Sequence, residues 1–237
     1  MRTYLDFEKP VAELEAKVEE LRALGESDNA VAIVDDVARL EAKAAAALKD
    51  LYASLSPWQK TQVARHPQRP HFADYCAELI GDFTPLAGDR KFGEDEAIAR
   101  STEACLALGA PNVSVIIGEG GSGGAIAIAT ANKVLMLEHA IYGVISPEGA
   151  ASILWRDAAR AQDAATNMKI TAQDLLRLGV VDSIVAEPVG GAHRDPKAAI
   201  ATAGDAIAGA LADLGNMGPN ELRSHRSDKF LEIGRRL

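Results

Sequence analysis

The chain has 237 residues, of which 48% are hydrophobic and only 5% aromatic, with a formal net charge of -9. That length suits one large domain or a domain with an extension, and a core built mostly from Ala, Leu, Val and Ile. The acidic balance argues against general affinity for nucleic acid or an anionic membrane, and no apolar run reaches transmembrane length.

The start, MRTYLDFEKP, is polar and lacks the pattern of a secretory signal, so the expected location is the cytoplasm. Val11, Leu14, Val18 and Leu21 recur at helical spacing, and Pro10 suits a helix start. GESDN breaks the pattern at residues 25–29. A second stripe follows: Val34, Val37, Ala44, Leu48, Leu51 and Leu55. Two such helices joined by a short loop predict an antiparallel helical hairpin with a role in assembly. Ser56-Pro57-Trp58 reads as a cap and first position opening another helix.

Between Ser56 and His71 lie Lys60, Arg65, His66, Arg69 and His71, with no acid among them. Such a patch either meets an anionic partner or, the favoured reading, bridges to the protein's own acids. Cys76 and Cys105 form no C-x-x-C pair and read as structural thiols, and no zinc pattern is present.

The second half alternates in type. A helix is expected from about Ala97 to Leu108, stopped by Gly109. Strands are expected at Val113–Ile117, at KVLML (133–137), at YGVIS (142–146) and at VDSIVAEP (181–188). Helices are expected at SPEGAASILW (146–155) and TAQDLLRLG (171–179), a turn at GGAHRDP (190–196), and two closing helices. The strands found before Val113 are too few for a complete sheet, which starts as if from its middle.

Strand, glycines and helix meet at GEGGSGGA, residues 118–125. A run this rich in glycine is expected to be neither strand nor helix interior. It admits three readings. Gly118, Gly120 and Gly123, with Glu138 about twenty residues on, fit a dinucleotide fingerprint, but Glu119 would repel a pyrophosphate and no Gly-Lys-Ser/Thr closes a P-loop. Gly120, Ser122 and Gly124 fit the G-x-S-x-G elbow of a serine hydrolase, with His139 or His193 and Asp182 or Asp195 as candidate partners. Gly123 and Gly124, at a helix start, leave backbone N–H groups free to bind an oxyanion.

FEKPVAELEAKVEEL, LYASLSPWQKTQVARHPQRPHFADY, IIGEGGSGGAIAI, YGVISPEGAASILW and EPVGGAHRDP together closely resemble the α subunits of bacterial acetyl-coenzyme A carboxylase carboxyltransferases, over nearly the whole chain. The resemblance implies an α/β, crotonase-like (ClpP/crotonase superfold) core of ββα units in residues 91–237, with an N-terminal helical extension in residues 1–90. It implies transfer of a carboxyl group from carboxybiotin, tethered to a biotin carboxyl carrier protein, to acetyl-coenzyme A, giving malonyl-coenzyme A for fatty-acid synthesis. The N–H groups of Gly123 and Gly124 would stabilise the developing charge on the biotin ureido oxygen. Gly120, Gly121, Ser122, Tyr142, Ser146, Pro147, Glu148 and Gly149 would border the substrates. A β subunit, in an α2β2 heterotetramer, would supply the hole for the thioester enolate and carry the zinc. Biotin carboxylase would join the larger complex, and no membrane or specific nucleic-acid partner is expected.

The family carries further strand–helix segments between FGEDE and AIARS, including an Asp-Thr-Ala-Gly-Ala-Tyr-Pro-Gly loop near the active site. Here Glu96 runs directly into Ala97. The favoured expectation is that the segment exists; a true deletion would remove core strands and put folding and activity in doubt. Two rival classes remain: a hydrolase using Ser122, since Clp-type proteases share the superfold, and a non-catalytic assembly subunit.

Overall fold

The computed structural model describes residues 2–25, 30–82 and 94–235. Helices α1 (Lys9–Gly25) and α2 (Ala30–Ala53) pack as the expected hairpin. Val11 of α1 and Leu48 and Tyr52 of α2 bury in one cluster with Leu55 and Val63. Helix α3 (Pro57–Ala64) starts where the sequence says it should: Ser56 Oγ accepts from the Gln59 N–H at 3.2 Å, and Gln59 Oε1 accepts from the Ser56 N–H at 2.8 Å. A short α4 (Phe72–Leu79) follows.

Helix α5 (Glu94–Ala107) runs unbroken through Glu96 and Ala97. In the 237-residue sequence Glu96 is followed directly by Ala97, so the expected segment is absent from the chain. From α5 the chain enters β1 (Val113–Ile116), β2 (Glu119–Gly121) and α6 (Ser122–Ile128). It repeats the pattern with β3 (Lys133–Leu137), β4 (Ile141–Gly143) and α7 (Pro147–Trp155). Helices α8 (Ala161–Met168) and α9 (Ala172–Arg177), strand β5 (Ser183–Val185), and helices α10 (Pro196–Leu214) and α11 (Pro219–Glu232) complete it.

Strands β1, β3 and β5 form one parallel sheet in the order β1-β3-β5, and β2 and β4 form a second parallel pair. Each unit thus places one strand in the larger sheet, the next in the smaller, and then a helix, which is the ββα plan of a crotonase-like core. β3 lies in the middle, and Val134 to Leu137 are almost fully buried, as an unbroken apolar run predicts. Among the described residues no single helix is long and apolar enough to cross a membrane.

Several expectations are corrected. Glu119–Gly121 is a strand, although glycine-rich, because pairing with β4 stabilises the backbone itself. The helix starts at Ser122 rather than after Gly124. The strands expected at 142–146 and 181–188 are three residues each, at Ile141–Gly143 and Ser183–Val185; the first stops early because Ser146 already caps α7. Helix α8 is additional. Its buried face is alanine, at Ala161, Ala164 and Ala165, which carries little hydrophobic signal. The loop expected at GESDN falls largely outside the described residues.

Candidate active site at the glycine corner

The site is built where β2 turns into α6. Register sets Gly120 opposite Tyr142 and Gly121 opposite Gly143. The Tyr142 ring lies directly on Gly120: a Cβ there would sit 2.9 Å from Tyr142 Cδ2. This close approach, rather than an unusual φ, is what demands glycine at position 120. The Tyr142 hydroxyl reaches Ala125 O of α6 at 3.4 Å, and burial pushes its ionisation upward. Tyr142 thereby borders two concavities: a cleft of about 170 Å³ along β1 and Gly118–Gly120, and a mostly apolar groove of about 400 Å³ lined by Ile126, Val144, Ile145, Met168 and Ile170.

Gly121 is the N-cap of α6, with no side chain closing the helix start. Gly123 and Gly124 fall in the first turn, where N–H groups have no intrahelical acceptor. A Cβ on Gly124 would meet nothing within 4 Å, whereas one on Gly123 would lie 3.0 Å from Ile98 Cδ1 of α5. The corner is open at Gly124 and walled by Ile98 at Gly123.

Ser122 is exposed and takes a left-handed backbone, φ 66°. The bend resembles a nucleophile elbow, but among the described residues no triad is assembled around it. Among the described residues nothing hydrogen-bonds its hydroxyl, and neither candidate base approaches it. His193 stacks on His66 with ring centroids 3.7 Å apart, and His139 meets Tyr52 edge-on at 5.4 Å. Asp182 pairs with Lys229, and Asp195 caps α10.

Ser146 to Gly149 form the start of α7. Ser146 Oγ accepts from the Gly149 N–H at 3.1 Å, and Pro147 is fully buried. A Cβ on Gly149 would press on Ile145 at 2.9 Å and on the capping Ser146 Oγ at 3.1 Å. The Glu148 carboxylate turns to Arg65, at the end of α3, whose guanidinium also holds Glu119 of β2. Hydrogen bonding to Arg65 holds Glu148 below the usual carboxylate range, and the two carboxylates hold Arg65 protonated.

The basic stretch is thus engaged internally. Lys60 bonds Gln173 and Glu138 O, and Arg69 forms a two-pronged pair with Glu187 at 2.6 and 2.8 Å. Sequence reading foresaw internal bridging but not the acidic partners of Arg65 and Arg69, which lie 54 to 118 residues away in the chain.

Two successive ββα units define an α/β fold of the crotonase-like class. The family described as acetyl co-enzyme A carboxylase carboxyltransferase-like matches residues 4–99 and 93–234. The chain belongs to that family. It is 59% identical to the acetyl-coenzyme A carboxylase carboxyl transferase subunit alpha of Methylobacterium nodulans and 56% identical to that of Xanthobacter autotrophicus, each covering 100% of both chains. A solved malonate decarboxylase hetero-dimer from Pseudomonas superposes with a TM-score of 0.46 and 17% identity, over 76% of this chain and 73% of that one.

The alignment to both relatives runs over 317 positions against 237 residues here, so at least 80 positions have no counterpart in this chain. The two family matches overlap at residues 93–99, which puts the gap at the start of α5.

Proposed function

We propose that the chain is the α subunit of an acetyl-coenzyme A carboxylase carboxyltransferase. With a β subunit, as an α2β2 assembly, it moves the carboxyl group of carboxybiotin on a carrier protein to the methyl carbon of acetyl-coenzyme A, giving malonyl-coenzyme A. The observation that carries this reading is the 59% identity, over the whole chain, to a subunit of that name. The glycine corner supports the chemistry.

Carboxybiotin supplies an activated carboxyl group, and its ureido oxygen gains negative charge as that group leaves. In this reading the Gly123 and Gly124 N–H groups face that oxygen, with the open space at Gly124 giving it access. Preorganised donors of this kind are worth about 3–4 kcal/mol each. In this reading Tyr142, which lies between the cleft and the apolar groove, and the Ser146–Gly149 turn would border the reacting groups. The β subunit supplies the second hole and the zinc, and biotin carboxylase recharges the carrier.

The test is malonyl-coenzyme A-dependent carboxylation of free biotin by this chain, alone and mixed with the β subunit of a relative. The chain alone is expected to be inactive, because the described residues hold one glycine corner while charge develops on two oxygens. Full turnover without a partner overturns the reading. The 80 positions missing here give the experiment a second edge: stable assembly without turnover would make the chain a non-catalytic assembly subunit.

A further inference from the structure

Arg65 draws together two segments that have no other charged link among the described residues. Its Nε and Nη2 donate to Glu119 at 2.8 and 2.7 Å, and its Nη1 and Nη2 donate to Glu148 at 2.6 and 3.2 Å. Glu119 stands between Gly118 and Gly120 in the short strand that leads into the glycine corner. Glu148 stands in the first turn of α7. The planar guanidinium can grip both carboxylates at fixed angles, which a lysine ammonium cannot.

We propose that Arg65 is a positioning residue for carboxyl transfer: by bridging Glu119 and Glu148 it holds the glycine corner and the start of α7 at a fixed separation. The proposal rests on the carboxyltransferase reading of the corner. Its physical basis is a change of sign. With Arg65 present, both carboxylates are attracted to one cation. Without it, two negative charges brought within reach of a single guanidinium repel each other, and the glycine-flanked strand has little stiffness with which to resist. The three side chains are each about a third exposed, at 31%, 35% and 39%, so the cluster contributes little to global stability. A displacement of about 1 Å at a reacting site can nonetheless cost about a hundredfold in rate.

The experiment has two arms. In the assembled complex, Arg65→Ala should lower kcat for carboxyl transfer by roughly 10- to 100-fold, with KM for the thioester and the thermal midpoint nearly unchanged. Arg65→Lys should recover only part of the loss. Adding Glu119→Gln to Arg65→Ala should recover part of the activity, because it removes the repulsion though not the lost bridge, and no recovery at all would overturn the proposal.

The second arm uses the isolated chain and hydrogen exchange, independent of activity. The Ile141 N–H donates to Gly118 O at 3.0 Å and ties β4 to the root of the corner. Arg65→Ala should speed exchange at Ile141 at least about tenfold while Met136 in β3 is unaffected. Unchanged exchange at Ile141, or equal acceleration at both sites, overturns the proposal. If the wild-type complex transfers nothing, the carboxyltransferase reading fails, and the exchange arm still decides the role of Arg65.

Discussion

Ser122 and Gly124 lie two residues apart and should respond to opposite substitutions. Ser122 carries a side chain in a left-handed conformation, φ 66°, which costs roughly 1–2 kcal/mol for a residue with a Cβ. Ser122→Gly should raise stability by about 1 kcal/mol in chemical denaturation and retain most transfer activity, since the hydroxyl has no proton acceptor among the described residues. A loss beyond about a thousandfold with intact folding would bring back the nucleophile reading. Gly124 has open space in front of it. Gly124→Val should therefore fold, with stability changed by less than about 1 kcal/mol, because valine and glycine are both poor helix formers. The branched side chain would occupy the space through which an oxyanion reaches the N–H. Transfer should fall by roughly 100-fold or more, the scale of one lost oxyanion donor, while size-exclusion chromatography still shows assembly with the β subunit. Wild-type transfer by an assembled Gly124→Val variant would remove the corner from the mechanism.

At the scale of elements, α11 is anchored by one buried cation. Arg226 is fully buried and makes no ion pair among the described residues. Instead it donates to the carbonyls of Cys105, Leu106, Leu108 and Ala110 and to the side-chain oxygens of Asn112 and Asn132, at 2.6 to 3.2 Å. These carbonyls cluster at the C-terminus of α5, where the helix dipole is negative and carbonyls lack partners. Arg226→Ala would leave the buried Asn132 Oδ1 unsatisfied, at about 1–3 kcal/mol, and strip this donor from a set of part-buried carbonyls as well. The expected loss is roughly 3 kcal/mol or more in a urea titration, and Arg226→Lys should recover little, having no planar fork. A loss under about 1 kcal/mol would show that the carbonyls find water instead. Nothing in a single sequence marks Arg226 for this role, because its partners are backbone oxygens about 120 residues away. The elements written in local chemistry were legible: Ser56 and Ser146 as caps, Pro57 and Pro147 as first positions, and Gly190 and Gly191 at φ 90° and 91° in the predicted turn. Strand β2 was not legible. Two of its three residues are glycines, and the strand is fixed by the Tyr142 ring on Gly120, about twenty residues on, and by pairing with β4. The glycine corner could be read because its motif is contiguous, whereas the Arg65 bridge joins three separate segments.

At the scale of the whole molecule, the helical N-terminal part meets the core across a buried polar joint. Glu8, fully buried, accepts from the Tyr52 hydroxyl at 3.0 Å and from Arg194 at 3.2 Å, and Arg194 also donates to Glu15 at 2.8 Å. Beside it, His66 bonds Thr3 O at 3.1 Å and stacks on His193, neither of whose ring nitrogens has a hydrogen-bond partner among the described residues. Burial, then the facing His66, Arg194 and Arg69, push His193 down to about 3, against a smaller opposing pull from Glu187. Burial lowers His66 in the same sense, and it lowers His139 against the pull of Glu187 and Glu138. A histidine with an unfolded value near 6.5 and a folded value of about 3 takes up its proton in the unfolded chain first, so acid favours unfolding. Its contribution is complete above about pH 6.5 and is lost as pH falls toward 3. At pH 5 His193 alone should cost the fold about 2 kcal/mol relative to pH 7. Glu187 adds to the trend lower down. Burial raises its carboxyl, but the Arg69 hydrogen bonds and charge outweigh that and hold it below the usual range, so its contribution goes only under strongly acid conditions. His193→Phe keeps a flat ring against His66 and removes the titration, and since neither ring nitrogen is bonded it breaks no hydrogen bond. Unfolding free energies from urea titrations at pH 7 and pH 5 should therefore differ clearly for the wild-type chain and by about 2 kcal/mol less for His193→Phe. An identical pH slope in the two proteins would mean that the joint between the N-terminal helices and the core does not titrate through His193.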